Sequence, residues 1–186
     1  MVELNDFILI HDNALEDDVC NSLIQIYENL KFLNQHEKIN NDFKPSFTQF
    51  NLTANHQHND SVKQIHNHLI KKTIEYRNTY YDFIDSRVFP ETHAFEQFRI
   101  KKYEPDEDMF DTHVDVQDYS SARRFLAYLW YLNDVPKGGE TVFEDLTIKP
   151  RRGTLLMFPP LWMFPHRGNS PIETPKYILT TYLHYK

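Results

Sequence analysis

The stretch "RRFLAYLWYLND", residues 123–134, is apolar at both parities from Phe125 to Leu132. A strand with one wet face alternates apolar and polar residues, so a run of this kind has to be covered on both faces. One face would meet helices and the other the inside of a barrel. Any fold for this chain must supply both covers.

Helices are available upstream. "NALEDDVCNSLIQIYENLKFL", residues 13–33, repeats apolar residues at helical spacing from Leu15 to Leu30, and Asn13 with Glu16 resembles a capping box. A second helix is predicted from Asp60 or Ser61 to about Asp85, with Val62, Ile65, Leu69 and Ile70 turned to the core. From Ala94 onward the character changes to short runs rich in aromatic and β-branched residues, separated by turn chemistry. Strands are expected near 94–103, 112–116, 123–132, 140–143, 153–158, 162–167 and 176–185, with "FILIH" and "FTQFNLT" adding outer strands. Two helices followed by a run of strands give an α+β fold. The expected architecture is a double-stranded β-helix (jelly roll, cupin-like) with the N-terminal helices buttressing one sheet. At 186 residues one domain suffices, with helical support over about 1–92 and the jelly-roll core over about 93–186.

Charge narrows the partners. Acids outnumber Lys plus Arg by 27 to 20, and the basic residues are scattered, which argues against nucleic acid. The start, "MVELNDFILI", carries Glu3 and Asp6 where a signal peptide would be basic, and no run reaches membrane-spanning length. A single cysteine, Cys20, excludes an internal disulfide and a zinc site built from several thiolates. These features lead us to expect a soluble cytoplasmic protein with no membrane partner.

"THVDVQD", residues 112–118, places His113 and Asp115 one residue apart. With 10 His and 27 acids, roughly one or two such triplets arise by accident, and a second one is present, His58 with Asp60. That second triplet lies with His56, His66 and His68 where a polar loop enters the second helix, so a solvated face explains it better than a metal. His113 and Asp115 follow a strand in the predicted barrel and share one face by period-two alternation. His166, in "MFPHRGNSP", is the candidate third ligand, since two histidines and one carboxylate leave iron(II) with open positions. Lys176 opens the last strand, "KYILTTYLHY", ten residues further on. An inward lysine there is costly unless it meets an anion such as a carboxylate, while a strand-end lysine in water is the plain alternative. "LWMFP", residues 161–165, could wall an apolar site and could equally be core.

Together these residues resemble the iron(II)- and 2-oxoglutarate-dependent dioxygenases, and within them the prolyl 4-hydroxylase-like branch. The resemblance covers roughly residues 94 to 185: Tyr103 ten residues before His113, then "HVD", "YLNDVPKGGETVFED", "PRRGTLLMF" and "HRGNSPIETPKYILTTYLHY". It implies that His113, Asp115 and His166 hold iron, that Lys176 binds the distal carboxylate of 2-oxoglutarate, and that Tyr131 and Tyr103 lie near this cosubstrate. The last two could equally be core tyrosines. It further implies Fe(II), 2-oxoglutarate and O2 as cofactors, with ascorbate as an accessory. The expected reaction is hydroxylation of an unactivated C–H bond, foremost in a peptidyl proline, with release of succinate and CO2. A peptide or protein substrate follows, and a bacterial or viral source is compatible. Where many relatives carry a glycine before the first metal histidine, this chain reads "EPDEDMFD", residues 104–111, an acidic loop that could favour a basic peptide or could simply be solvated. Competing readings are a non-catalytic cupin-like sensor of metal or 2-oxoglutarate, an oxygenase of non-prolyl substrates, and a zinc hydrolase, which would have no use for Lys176.

Overall fold

The computed structural model describes residues 3–31, 36–40, 45–80 and 86–186. The N-terminal part supplies strands β1 (Leu9–His11), β2 (Glu37–Asn40) and β3 (Ser46–Asn51) with helices α1 (Asp17–Lys31) and α2 (Asn59–Thr79). There follow β4 (His93–Phe95), β5 (Arg99–Tyr103), β6 (Phe110–His113), β7 (Arg124–Tyr131), β8 (Lys137–Gly138) and β9 (Thr141–Val142). The chain ends with β10 (Thr147–Ile148), β11 (Leu155–Phe158), β12 (His166–Gly168), β13 (Pro171–Ile172) and β14 (Lys176–Tyr185). Among the described residues the major sheet runs β1-β11-β7-β14-β5-β3-β2, with β4 also on β14, and the minor sheet runs β10-β9-β12-β6. All of these pairs are antiparallel. The result is the expected α+β jelly roll with helices against the major sheet, and no helix among the described residues is long and apolar enough to cross a membrane.

Strand β7 is covered as its double parity requires. Leu126, Tyr128, Trp130 and Leu132 join a buried cluster with Cys20, Leu23 and Tyr27 of α1 and Ile65, Leu69 and Tyr76 of α2. Ala127 and Tyr131 point the other way, into a second cluster with Phe143, Phe158 and Ile178 between the sheets. Each large side chain buried in this way stabilises the fold by roughly 1.5–3 kcal/mol, so the strand is a mainstay of both layers.

Several local expectations shift, each for a visible reason. Helix α1 starts at Asp17 rather than at a capping box on Asn13, which adopts the left-handed region (φ 53°). The N–H groups of Ala14 and Leu15 instead donate to the Gly153 carbonyl (2.8 and 3.2 Å). Gly153 itself has φ +75°, and a Cβ there would lie 2.5 Å from the Leu15 carbonyl oxygen, so the contact needs glycine. On α2, Ile65 and Leu69 are buried but Ile70 is 39% exposed, being a full 100° step around the helix from Leu69. The part of the second helix expected beyond residue 80 falls on 81–85, outside the described residues. The 94–103 strand breaks at Glu96–Phe98, where Phe98 N–H turns to Thr53 Oγ1 (2.8 Å). Strand β6 ends at His113, short of residue 116, because Val116 N–H goes to the Pro160 carbonyl (3.1 Å). Strand β12 begins at His166 rather than 162, since Leu161–Phe164 closes a turn.

Candidate metal centre and its cavity

Antiparallel pairing of β6 with β12 sets His113 directly opposite His166, with ring centroids 4.3 Å apart. Each ring places Nδ1 against a main-chain carbonyl, His113 on Asp111 (2.7 Å) and His166 on Phe164 (3.1 Å). A ring nitrogen facing a carbonyl carries the proton, which leaves each Nε2 with its lone pair outward. Both Nε2 atoms face Asp115, at 3.7 Å from Oδ1 for His113 and 3.7 Å from Oδ2 for His166. One donor atom from each of the three residues lies within 4.8 Å of the others, the one such group of three or more His, Cys, Asp or Glu among the described residues. Phe110 stacks on His113 at 3.5 Å and 6°, and Phe143 and Phe158 flank His166. The set is therefore rigid before any ligand arrives.

Asp115 lies beyond the end of β6, so strand alternation does not aim it. Its aim comes from side chains far away in sequence. Tyr182 donates its hydroxyl to Asp115 Oδ1 (2.7 Å), and Arg124 Nη1 donates to the Asp115 carbonyl (2.8 Å). Arg124 is itself fixed by a two-pronged pair with Glu96 (2.8 and 3.0 Å) and lies 4.0 Å over the Tyr182 ring. Burial opposes ionisation of Asp115, yet the neighbouring His113 and His166 and the Tyr182 hydroxyl together hold its carboxyl well below the usual carboxylate range. Burial also pushes the His166 imidazole down, partly offset by Asp115. An ionised carboxylate beside a neutral imidazole is the donor state a divalent metal requires.

Lys176 pairs in register with Tyr103 and is 2% exposed. Its Nζ donates to the Gly139 carbonyl (3.0 Å) and lies 4.4 Å over the Tyr103 ring. No carboxylate among the described residues forms an ion pair with it. Burial therefore drives the amine down to about 7, with Glu140 pulling it up and Lys101 pushing it further down. The cavity that contains Lys176, Tyr103, Thr141 and Gly168 is also lined by His113, Asp115 and His166. A Cβ on Gly168 would sit 3.5 Å from the Lys176 ammonium, so this glycine borders it closely.

The other expectations sort clearly. Tyr103 lines the cavity, whereas the fully buried Tyr131 stands behind it, its hydroxyl donating to Thr141 Oγ1 (2.6 Å). "LWMFP" does not wall this cavity. Leu161, Met163 and Phe164 face a separate apolar hollow and Trp162 is 77% exposed, while Phe110 and Phe158 do the walling. His66 and His68 lie edge-on to Phe95 and Trp130 and are not gathered with His56 or His58 around a common point. In the acidic loop, Asp108 is buried as a structural acceptor for Lys38 (2.6 Å), Ser46 and the Glu104 N–H (3.0 Å). Glu104, Asp106 and Glu107 line neither this cavity nor the groove outside it.

Sequence reasoning missed Arg124, Tyr182 and Lys101. The first two act through partners 28 and 67 residues away, which no local pattern reveals. Lys101 was findable, since it stands two residues before Tyr103 and so on the same face of β5. It lines the cavity, and burial pushes its amine down to about 8, partly offset by Asp115.

The sequence model described as the 2OG-Fe(II) oxygenase superfamily matches residues 98–184. A probable prolyl 4-hydroxylase from Arabidopsis thaliana is 32% identical over 104 residues, covering 41% of this chain and 35% of the relative, so the match spans about a third of that protein's length. Among solved structures, a viral collagen prolyl hydroxylase of Paramecium bursaria Chlorella virus-1, in its 2-oxoglutarate complex, superposes with a TM-score of 0.68 at 22% identity, covering 97% of this chain and 96% of that one. A Trichoplax adhaerens prolyl hydroxylase in complex with a hypoxia-inducible-factor peptide fragment gives 0.75 at 15% identity, covering 96% and 84%. A Pseudomonas putida prolyl-4-hydroxylase gives 0.72 at 14%, covering 97% and 93%. At these identities the structures establish a shared fold.

Proposed function

We propose that the chain, whose residues 98–184 match the 2OG-Fe(II) oxygenase superfamily, is an iron(II)- and 2-oxoglutarate-dependent dioxygenase of the prolyl 4-hydroxylase-like branch. It hydroxylates an unactivated C–H bond, foremost of a peptidyl proline, with release of succinate and CO2. The observation that carries this reading is the pairing, within one cavity, of a convergent His-Asp-His donor set with a buried lysine that lacks a carboxylate partner among the described residues. A cupin-like metal site alone would not need Lys176, and a zinc hydrolase would leave it unexplained.

The donor set suits iron(II). Two imidazole nitrogens and one carboxylate oxygen form a mixed N,N,O set that leaves open positions, and no thiolate competes for the metal. His113, Asp115 and His166 would hold the ion, which when bound supplies the redox coupling of O2 and 2-oxoglutarate to C–H oxidation. Lys176 would take the distal carboxylate of 2-oxoglutarate, trading a costly lone ammonium for a charge-assisted bond. Tyr103 offers a ring face beneath that ammonium, and Gly168 leaves the room. Phe110 and Phe158 keep water from the reacting centre, and Tyr182 and Arg124 hold Asp115 in line. Ascorbate as a reductant and a cytoplasmic site of action complete the proposal.

His113→Ala and His166→Ala should each abolish iron-dependent succinate formation from 2-oxoglutarate. Undiminished turnover in either variant would sink the iron assignment.

A further inference from the structure

Strand β5 carries a ladder of cations that leads away from the cosubstrate lysine. Its even residues face the helices: Ile100 belongs to the helix-facing cluster, and Lys102 pairs with Glu28 of α1 (3.1 Å). Its odd residues face the barrel. Tyr103 lines only the inner cavity, Arg99 only an outer groove, and Lys101 lines both. Lys101 therefore stands at the junction, beside the metal-ligand carboxylate Asp115, which lines both spaces as well.

Once Asp115 is given over to a metal, the remaining charges around this junction do not balance. Arg124 is met by Glu96, and the Asp118 carboxylate is occupied by Ser120 Oγ (2.7 Å), the Ser121 N–H (2.9 Å) and Ser121 Oγ (2.9 Å). Among the described residues the Arg99 guanidinium donates only to the neutral Gln97 amide oxygen (2.8 Å). The Lys101 ammonium lies 4.7 Å from the centre of the Phe47 ring and makes no hydrogen bond or ion pair with any described residue. Its neighbouring anion is Asp115, which on the proposed reading is given over to the metal, and a partly buried ammonium left without an anion is costly, so a further anion is best provided by a ligand. On the proposed reading, Lys176 takes the far carboxylate of 2-oxoglutarate and the metal takes its keto-acid end. The molecule to be oxidised is what remains for Lys101.

Resting on that reading, we propose that the substrate presents a carboxylate to Lys101, with Arg99 at the mouth of the groove, next to the carbon that is oxidised. In a peptide this carboxylate is an acidic side chain flanking the target residue or the C-terminus itself. The preference is opposite to the one the acidic loop suggests, and that loop lies off the groove.

The test uses the full chain loaded with zinc(II) and 2-oxoglutarate, which binds without turning over. Four proline-centred peptides are titrated: amidated with flanking Glu, Gln or Lys, and Gln-flanked with a free C-terminal carboxylate. The Glu-flanked or the free-carboxylate peptide should bind at least roughly tenfold tighter than the Lys-flanked one, as for a charge-assisted bond, and which of the two does so identifies the source of the carboxylate. Lys101→Met should erase the preference, Lys101→Arg should keep it and Lys101→Glu should reverse it, each measured with 2-oxoglutarate saturating for that variant. Equal binding of all four peptides by the parent chain, or binding of none, overturns the proposal. So does a Lys101→Met variant that loses 2-oxoglutarate affinity while keeping the peptide preference, because Lys101 would then serve the cosubstrate. Should a variant fail to fold, the parent chain's peptide ranking still decides. Succinate release by the iron-loaded parent is measured in parallel, so failure of the dioxygenase reading shows there and not in the binding ranks.

Discussion

Raising the pH from 7 to 9 should weaken 2-oxoglutarate binding far more than an ordinary lysine anchor would allow. Burial sets the free Lys176 amine at about 7, well under its ordinary 10.5, and a bound carboxylate must raise it again. Binding therefore requires the protonated form, and the apparent affinity falls as pH rises through the free value. With that value, the apparent dissociation constant rises by a factor of about 2 at pH 7 and about 100 at pH 9, a loss of roughly fiftyfold across the window. A lysine at 10.5 would lose only a few per cent over the same range. Isothermal titration in two buffers of different ionisation enthalpy, with the metal sites filled by manganese(II), should show uptake of about 0.9 proton per cosubstrate at pH 8. The same shift has a consequence for the free chain: its folded amine is depressed, so this group's contribution to stability is least below pH 7 and grows as the pH climbs toward 10.5. Lys176→Met should flatten the binding profile at a uniformly weaker affinity. A parent affinity that stays level from pH 7 to 9 without proton uptake would rule out a depressed Lys176 amine as the anchor.

Two further outcomes follow from the supports of the site. Tyr182→Phe removes the hydroxyl that Asp115 accepts, and metal affinity measured by chelator competition should fall by about tenfold with the fold intact; unchanged affinity would leave Asp115 held by Arg124 alone. Asp108→Asn should cost about 2–3 kcal/mol, because the 1%-exposed carboxylate serves Lys38, Ser46 and the Glu104 N–H. Burial opposes ionisation of Asp108, but these bonds win and depress its folded pKa, so its stabilisation is present above the ordinary carboxylate range and is lost as pH falls through the folded value. Thermal midpoints followed from pH 7 to 3 should thus lose part of their acid slope in the variant, and an unchanged slope would count against the assignment.

The sequence disclosed what period and motif can disclose. Double-parity apolarity in β7 required cover on two sides, and the spacing of His113, Asp115, His166 and Lys176 marked residues that the fold brings into one cavity. Local backbone detail was hidden, because competition from distant groups decides it. Asn13 lost its cap to the Gly153 carbonyl, and β6 stopped where Pro160 took the Val116 N–H. The supports of Asp115 were hidden for the same reason, since Glu96, Arg124 and Tyr182 meet only after the sheet has formed. Lys101 was legible only by alternation: its neighbour Lys102 is also buried but pairs with Glu28 and Glu104, and counting from Tyr103 separates the two.

The central claim, that this site couples O2 and 2-oxoglutarate to C–H oxidation, is tested most directly with isotopic oxygen. The iron(II)-loaded chain, 2-oxoglutarate and a substrate peptide under ¹⁸O₂ should give succinate and hydroxylated product that each carry one labelled oxygen, in equal amounts. Products formed equally well with zinc(II), or labelled only from water, would contradict it.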